Sequence, residues 1–238
     1  MKQPPVASAQ DYQQWFAGGD IFYRQIDRQR LEDAVDALVT KDRGLAVIAT
    51  HETVLAHYGS MVLARLRKQK KFQLEVLLPT DTDSLIERFN NLLAAMPLQQ
   101  ATQPADPAAT VKLLVIHDPL LIKDDQWALM KRLFSDFPGV NFRLVLFINK
   151  AEYHNFQHTL DLFAASLHRW AVETLSPPEA KQLLQVAREQ GYGSDVETLL
   201  LQTGLGETVG SFKPTLETDH SVAPINKSTE SVVEDDPD

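Results

Sequence analysis

The chain has 238 residues, 44% of them hydrophobic, and a formal net charge of −9 from 23 basic and 32 acidic side chains. This length fits one large domain, or one medium and one small domain. The acidic balance disfavours a general binder of nucleic acid or other polyanions, although it leaves room for local basic patches. The sequence contains no cysteine, which excludes disulfides, cysteine-ligated metal centres and thiol nucleophiles.

The sequence has no run of the roughly 18–20 apolar residues that a helix needs to cross a bilayer. Its N-terminus carries one lysine and two prolines within residues 1–10, but no apolar stretch of signal-peptide length. We therefore expect a cytoplasmic protein with no membrane-inserted segment in this chain. Contact with the inner face of the membrane would then require a partner.

Residues 1–20 are predicted to form an arm ahead of the first domain. Within this arm Tyr12, Trp15 and Phe16 are spaced i, i+3, i+4, which would place the three aromatic rings on one face of a helix. We expect this stripe to dock the arm onto the domain rather than to bind a ligand.

Between residues 21 and 175, segments of helical periodicity alternate with short apolar runs typical of buried parallel strands. The apolar runs predict strands over residues 45–50, 72–79, 111–118, 142–149 and 169–175. The periodic segments predict helices over residues 27–40, 54–68, 84–95, 123–134 and 151–167. Residues 97–110, with three prolines and no periodicity, predict an exposed loop. This order predicts an α/β fold with about five parallel strands and helices on both faces.

Two further helices are predicted after this α/β core of residues 21–175. Ser176 and Glu179 form a capping box, with Pro177 at the first helical position, so a helix should run to about residue 190. A second helix is predicted over residues 194–203, and we interpret 176–205 as a small helical lid. Residues 206–238 hold eight acids and two bases and are predicted to be a disordered acidic tail, which carries most of the net charge.

Ligands of open parallel sheets bind at the carboxyl ends of the strands, where helix N-termini face anions. A phosphate loop at this place needs glycines, a lysine and a serine or threonine. The turn after the first strand has no glycine between Thr50 and Tyr58, and Leu55, Ala56 and His57 stand where Gly, Lys and Ser/Thr would stand. The sequence therefore disfavours tight binding of a nucleoside triphosphate, and we expect no bound cofactor.

Polar residues nevertheless follow three of the predicted strands. Thr53 begins the helix after the first strand, Asp118 follows the third, and Asn149 ends the fourth. We interpret these three residues as a vestigial nucleotide-binding site. The histidines of the chain show no recognised metal-ligand spacing, so no metal site and no catalytic residue is predicted.

Basic residues cluster where the second predicted helix ends. The cluster consists of Arg65, Arg67, Lys68, Lys70 and Lys71. Cations at a helix C-terminus are favoured by the helix dipole, so one interpretation is a solvated helix end. The alternative is an interaction patch that docks an acidic protein partner, nucleic acid or the acidic tail of this chain.

Residues 21–205 resemble the AAA+ ATPase domain of the ExeA/GspA secretion ATPases and the ATPase-like domain of DamX-type cell-division proteins. In this resemblance LAVIAT stands for the Walker A strand, LLVIHD for the Walker B strand, and FRLVLFIN for the sensor strand that ends in Asn149. The passages LFSDFPGVNFRLVLF and RWAVETLSPPEAKQLLQVAREQGY are similar as well. The resemblance implies a P-loop NTPase-like strand order without a P-loop.

The departures from this pattern bear on function. The Walker A Gly-Lys-Ser/Thr is missing, and His117-Asp118 replaces the Walker B Asp-Glu. The resemblance then implies a non-catalytic AAA+-like scaffold or regulatory protein in a bacterial envelope, secretion or cell-division assembly, with a protein partner or a second copy of itself. The alternative is an unorthodox nucleotide-binding ATPase that needs a partner's residues. A receiver-like or flavodoxin-like domain fits poorly, because Thr50 and His51, not acids, end the first strand.

Overall fold

The computed structural model describes residues 15–17, 20–76 and 82–206 of the chain. Its strands, in chain order, are β1 (Phe16–Ala17), β2 (Asp20–Ile21), β3 (Gly44–Ala49), β4 (Phe72–Val76), β5 (Val111–Ile116), β6 (Phe142–Asn149) and β7 (Leu167–Ala171). Its α-helices are α1 (Gln25–Val39), α2 (Glu52–Arg67), α3 (Thr82–Ala94), α4 (Leu98–Ala101), α5 (Asp124–Asp136), α6 (Phe156–Leu162), α7 (Pro177–Glu189) and α8 (Gly193–Gln202). Short 3-10 helices span Pro119–Leu121, Pro138–Val140 and Ala164–Ser166.

The main sheet has five parallel strands in the order β4-β5-β6-β3-β7. Strand β3 lies inside the sheet, where Val47 is paired with Phe147 of β6 on one side and with Trp170 of β7 on the other. All six residues of β3 are buried, because helices cover both faces of the sheet. The predicted fold class, a five-stranded parallel sheet with helices on both faces, is confirmed.

Two hydrophobic cores lie on the two faces of this sheet, because successive side chains of a strand point to opposite sides. One core joins Leu45 and Val47 of β3 to helices α1, α2, α7 and α8. The other joins Ala46 and Ile48 of the same strand to helices α3, α5 and α6. The lid helices α7 and α8 therefore share a core with α2, whose N-terminus follows β3.

The predicted loop over residues 97–110 contains a helix. Helix α4 is a single turn, in which the carbonyl oxygen of Pro97 accepts hydrogen bonds from the backbone N–H groups of Gln100 and Ala101. Ala101 is fully buried, and Gly139 lies so close that a Cβ atom there would stand 2.0 Å from the carbonyl oxygen of Gln100. One turn is too short to show a hydrophobic period, which is why the sequence pattern misses it.

The helix predicted over residues 151–167 is wrong at both ends, since α6 covers only Phe156–Leu162. The chain first turns after β6, where the backbone N–H of Tyr153 donates to the carbonyl oxygen of Asn149 at 2.9 Å. The side chain of Tyr153 is buried and its hydroxyl is hydrogen-bonded to Thr159. A 3-10 turn then leads into β7, which starts at Leu167, two residues earlier than predicted, and ends at Ala171 rather than at residue 175.

The N-terminal aromatic residues dock onto the core, but not as a helical stripe. Strands β1 and β2 form an antiparallel ladder, and the backbone N–H of Phe22 donates to the carbonyl oxygen of Trp15. Trp15 is buried, and the ring of Phe16 stacks on Tyr192 with a centroid distance of 4.9 Å. Tyr12 lies outside the described residues, as does the acidic tail beyond residue 206. The division of the chain at residues 20, 175 and 205 stays a prediction.

Candidate functional site

The turn between β3 and α2 is where a phosphate loop would stand. Here the carbonyl oxygen of His51 accepts hydrogen bonds from the N–H groups of Val54 and Leu55, which begins the helix without a side-chain cap. The hydroxyl of Thr53 donates to the carbonyl oxygen of Gln202, at the end of lid helix α8, at 3.3 Å. The side chain of Thr53 is therefore hydrogen-bonded to the lid.

Acidic side chains surround the N-terminus of α2. Burial raises the pKa of Glu52, the first residue of the helix, and the negative charges of Asp118 and Glu152 raise it further. A helix N-terminus attracts anions through its free N–H groups and dipole. The carboxylates of the chain itself therefore lie where an anionic ligand would approach this helix, together with the imidazole of His117.

The three residues interpreted as a vestigial nucleotide site lie at one edge of the sheet, on or after the neighbouring strands β5, β6 and β3. Asp118 follows β5 and is exposed. The side-chain oxygen of Asn149, the last residue of β6, accepts a hydrogen bond from the backbone N–H of Ala151 at 3.1 Å. Asn149 thus makes a local structural contact, Thr53 makes a contact with the distant lid, and Asp118 contributes negative charge near Glu52.

A small cavity adjoins the first turn of α2. Its walls come from the chain before α1, from α2, from the segment after β7 and from the end of the lid, namely Tyr23, Val54, Glu173, Thr174, Leu175, Thr203 and Leu205. Its volume is about 10 Å³. One water molecule needs roughly that much space, and small-molecule pockets measure about 300–1,000 Å³. This cavity is therefore far too small to hold a purine base.

Arg24 holds the walls of this cavity together from outside. Its guanidinium group donates to Glu173, to the carbonyl oxygen of Thr174 at 3.2 Å, and to Glu179 at 3.3 Å. Glu179 is also the capping residue of α7, since its carboxylate accepts the backbone N–H of Ser176 at 2.8 Å. One arginine therefore connects the start of α1 to the segment after β7 and to the first turn of the lid.

A buried polar network, which the sequence analysis missed, lies beneath the same cavity. The Tyr58 hydroxyl accepts a hydrogen bond from the backbone N–H of Tyr23 and donates one to Asp27. Burial raises the pKa of Asp27 and of Tyr58. Asp27 shares its helical face with Leu31, Ala34 and Leu38. An acidic residue on an otherwise apolar helical face was the sequence pattern that could have indicated this network.

The structure separates the predicted interaction patch into two parts. Arg65 is half-buried and forms an ion pair with Asp20 of β2 at 2.6 Å. Arg67, Lys68 and Lys70 are exposed around the turn between α2 and β4, and Lys71 is half-buried beside them. Among the residues that the structure describes, no carboxylate lies within ion-pair distance of these four side chains. We call Arg67, Lys68, Lys70 and Lys71 the basic patch.

No protein-family model matches the chain, and no curated protein matches it. Solved structures do. One is Cdc6p from Pyrobaculum aerophilum, 11% identical, with a TM-score of 0.45 over 78% of this chain and 54% of that one. Another is the Aeropyrum pernix ORC2 protein in ADPNP-ADP complexes, 10% identical, with a TM-score of 0.46 over 76% and 55%. A third is Drosophila ORC bound to AT-rich DNA and Cdc6, 15% identical, with a TM-score of 0.40 over 68% and 30%.

The chain thus spans between 30% and 55% of the length of these matched structures, and identities this low assign no role to any of its residues. Within residues 15–17, 20–76 and 82–206, none of the helices combines the length and apolarity needed to cross a membrane. The same part of the chain contains no group of three or more histidine, aspartate or glutamate side chains placed to hold a metal ion.

Proposed function

We propose that this chain is a non-catalytic, AAA+-like interaction module, acting as a scaffold or regulator in a bacterial envelope, secretion or cell-division assembly. The proposal rests on the carboxyl edge of the sheet, where α2 follows β3. A cavity of about 10 Å³ stands next to the helix N-terminus that would hold the phosphates, and Glu52 begins that helix. The small cavity and the carboxylate of Glu52 both disfavour nucleotide binding at this helix N-terminus. The sheet and the lid helices nevertheless form a folded scaffold.

Calorimetric titration of the chain with ATP and Mg²⁺ tests the first half of this proposal. We expect no binding heat at micromolar to low millimolar ATP. Glu52→Gln should also fail to bind, because the lid still fills the space for the base after the charge is removed. Micromolar ATP binding that is lost on changing Asp118 or Asn149 would overturn the proposal in favour of an unorthodox ATPase.

The basic patch is the surface that we propose for docking a protein partner. Its three exposed cations can be neutralised together in Arg67→Gln/Lys68→Gln/Lys70→Gln. The matched control is Lys123→Gln/Lys150→Gln/Lys181→Gln, which removes the same charge from exposed lysines elsewhere. In affinity purification from cell extract, a partner bound through the patch should be lost with the first variant and retained with the second. Its recovery should not change when ATP is added. Equal recovery with both variants would place the partner on another surface.

A further inference from the structure

A larger cavity opens at the opposite, amino-terminal edge of the sheet. Its walls precede strands β3, β4, β5 and β6, and it has a volume of about 490 Å³. Its apolar lining includes three half-buried aromatic rings, Phe134, Phe137 and Phe142. The rings of Phe134 and Phe142 stack at 5.5 Å between centroids. This volume lies in the range of binding pockets. Much of the lining is polar, and the three rings form the part against which aliphatic side chains can pack.

The basic patch borders this cavity directly. Lys71 lines it, and Arg67, Lys68 and Lys70 lie on the turn that leads to Lys71. The ammonium group of Lys112 adds a further positive charge, 5.9 Å above the ring of Phe142. The amino edge therefore presents an aromatic hollow with a cationic rim.

Two carboxylates in the lining oppose this charge, and both have partners. Asp42 forms an ion pair with the buried Arg143. Asp106 accepts a hydrogen bond from the backbone N–H of Ala108 at 2.7 Å. Only Asp42 is thus paired with a cation, while Asp106 keeps its negative charge. The cations of the rim outnumber this one carboxylate, so the complementary ligand is a peptide in which aliphatic residues stand next to acids.

The chain itself contains such a segment. Residues 231–236 read Ser-Val-Val-Glu-Asp-Asp, two aliphatic residues followed by three acids. We propose that this segment binds the amino edge of its own sheet, with Val232 and Val233 in the aromatic cavity and the acids 234–236 on the basic patch. This binding holds or fails independently of the proposed assembly.

The chain between Gly206 and residues 231–236 is long enough to reach the amino edge of the sheet. Gly206 follows the end of α8, beside the N-terminus of α2, and the 16 residues of α2 lead from there to the patch. A helix of that length measures about 24 Å. The 25 residues between Gly206 and Val232 can span up to about 80 Å. A tether also gives an effective concentration of the order of millimolar, so even a weak contact would be populated.

Paramagnetic relaxation in the 238-residue chain tests this contact. Because the chain has no cysteine, Ser231→Cys places a single nitroxide label beside Val232. In the ¹⁵N-labelled protein at low salt, we expect loss of amide signal for residues 67–71 and 139–143, and no loss for residues 150–153 at the opposite edge. In about 1 M salt, where the Debye length is near 3 Å, the loss should shrink. Undiminished signals at 67–71 and 139–143 at low salt would overturn the proposal.

Four further samples, three variants and one mixture, separate binding in cis from nonspecific contact of the label and from binding between two copies of the chain. In the labelled chain, Arg67→Gln/Lys68→Gln/Lys70→Gln or Val232→Ser/Val233→Ser should restore the signals, and Lys123→Gln/Lys150→Gln/Lys181→Gln should not. A loss that persists in either of the first two variants would contradict the proposal. A mixture of spin-labelled ¹⁴N chain and unlabelled ¹⁵N chain should show no loss. Loss in that mixture would identify a second copy as the occupant and overturn binding in cis.

Discussion

The hydroxyl of Tyr58 in α2 donates a hydrogen bond of 2.7 Å to the buried carboxylate of Asp27 in α1. The same hydroxyl accepts the backbone N–H of Tyr23 at 2.9 Å. One oxygen atom thus connects two helices and the segment that precedes the first of them. The ring of Tyr58 also lies edge-on to Trp170 of β7, at 5.0 Å between centroids.

Tyr58→Phe should therefore destabilise the protein far more than the loss of one hydroxyl on the surface. It leaves the N–H of Tyr23 without a partner and removes one donor from Asp27. Unsatisfied buried groups cost about 1–3 kcal/mol each, so we expect a loss of about 2–4 kcal/mol in urea unfolding. Tyr192→Phe, which keeps the ring that stacks on Phe16, is the control and should change stability by less than about 0.5 kcal/mol. Equal effects of both substitutions would refute this role of Tyr58.

His57 should make stability depend on pH. Burial lowers its pKa, and its Nε2–H donates to the carbonyl oxygen of Ile21 at 2.7 Å. The unfolded chain binds a proton as pH falls through about 6.5, while the folded chain resists it. The contribution of His57 is thus complete above about pH 6.5 and is lost progressively as pH falls towards the lowered folded pKa.

His57→Gln should accordingly reduce the loss of unfolding free energy between pH 7 and acidic pH, measured by urea titrations at each pH. Burial also lowers the pKa of His168, so His168→Gln should reduce the loss separately. The double variant should show the flattest profile. A profile unchanged by His57→Gln would mean that this histidine is not held neutral in the folded protein.

Gly139 should tolerate no side chain. A Cβ atom there would stand 2.0 Å from the carbonyl oxygen of Gln100 and 2.9 Å from that of Gln103, so α4 would have to move. Overpacking of this kind costs about 1–3 kcal/mol, and we expect Gly139→Ala to reach the upper part of that range in thermal unfolding. In Gly206→Ala the new Cβ meets only the end of the exposed Leu201 side chain, at 2.8 Å, and little change is expected. A neutral Gly139→Ala would show that α4 does not pack against this turn.

Arg24 should stabilise the packing of the first lid helix, α7, against the rest of the domain. Arg24→Gln removes its contacts with Glu173 and Glu179, and we expect a loss of about 1 kcal/mol together with faster hydrogen exchange in the first turns of α7. Arg28→Gln removes only an exposed i,i+4 pair with Glu32 and should cost about 0.3–0.5 kcal/mol, without a change of exchange in α7. If Arg24→Gln leaves that exchange unaltered, the lid is held by its apolar core alone.

The strands and the long helices were readable from the sequence, because local chemistry sets them. Strand β3 follows a continuous apolar run that needs cover on both faces, and α7 begins at Ser176 with the capping box that the sequence predicts. Short elements were not readable in this way. Helix α4 depends on burial of Ala101 against other parts of the chain, and the turn after Asn149 depends on burial of Tyr153.

The candidate sites depend on residues far apart in the chain. Thr53 meets Gln202, and Tyr58 meets Asp27, only because α2 shares one hydrophobic core with α1 and the lid helices. Likewise, Lys71 and Phe134 line one cavity because the turns that precede the strands meet at one edge of the sheet.

The sequence by itself determined that a parallel sheet forms and that a phosphate loop is lacking, since periodicity and residue type are local properties. Tertiary structure alone decided that the lid leaves about 10 Å³ beside Val54 and that the basic patch borders an aromatic cavity. Space and charge between distant segments arise only when packing brings those segments together.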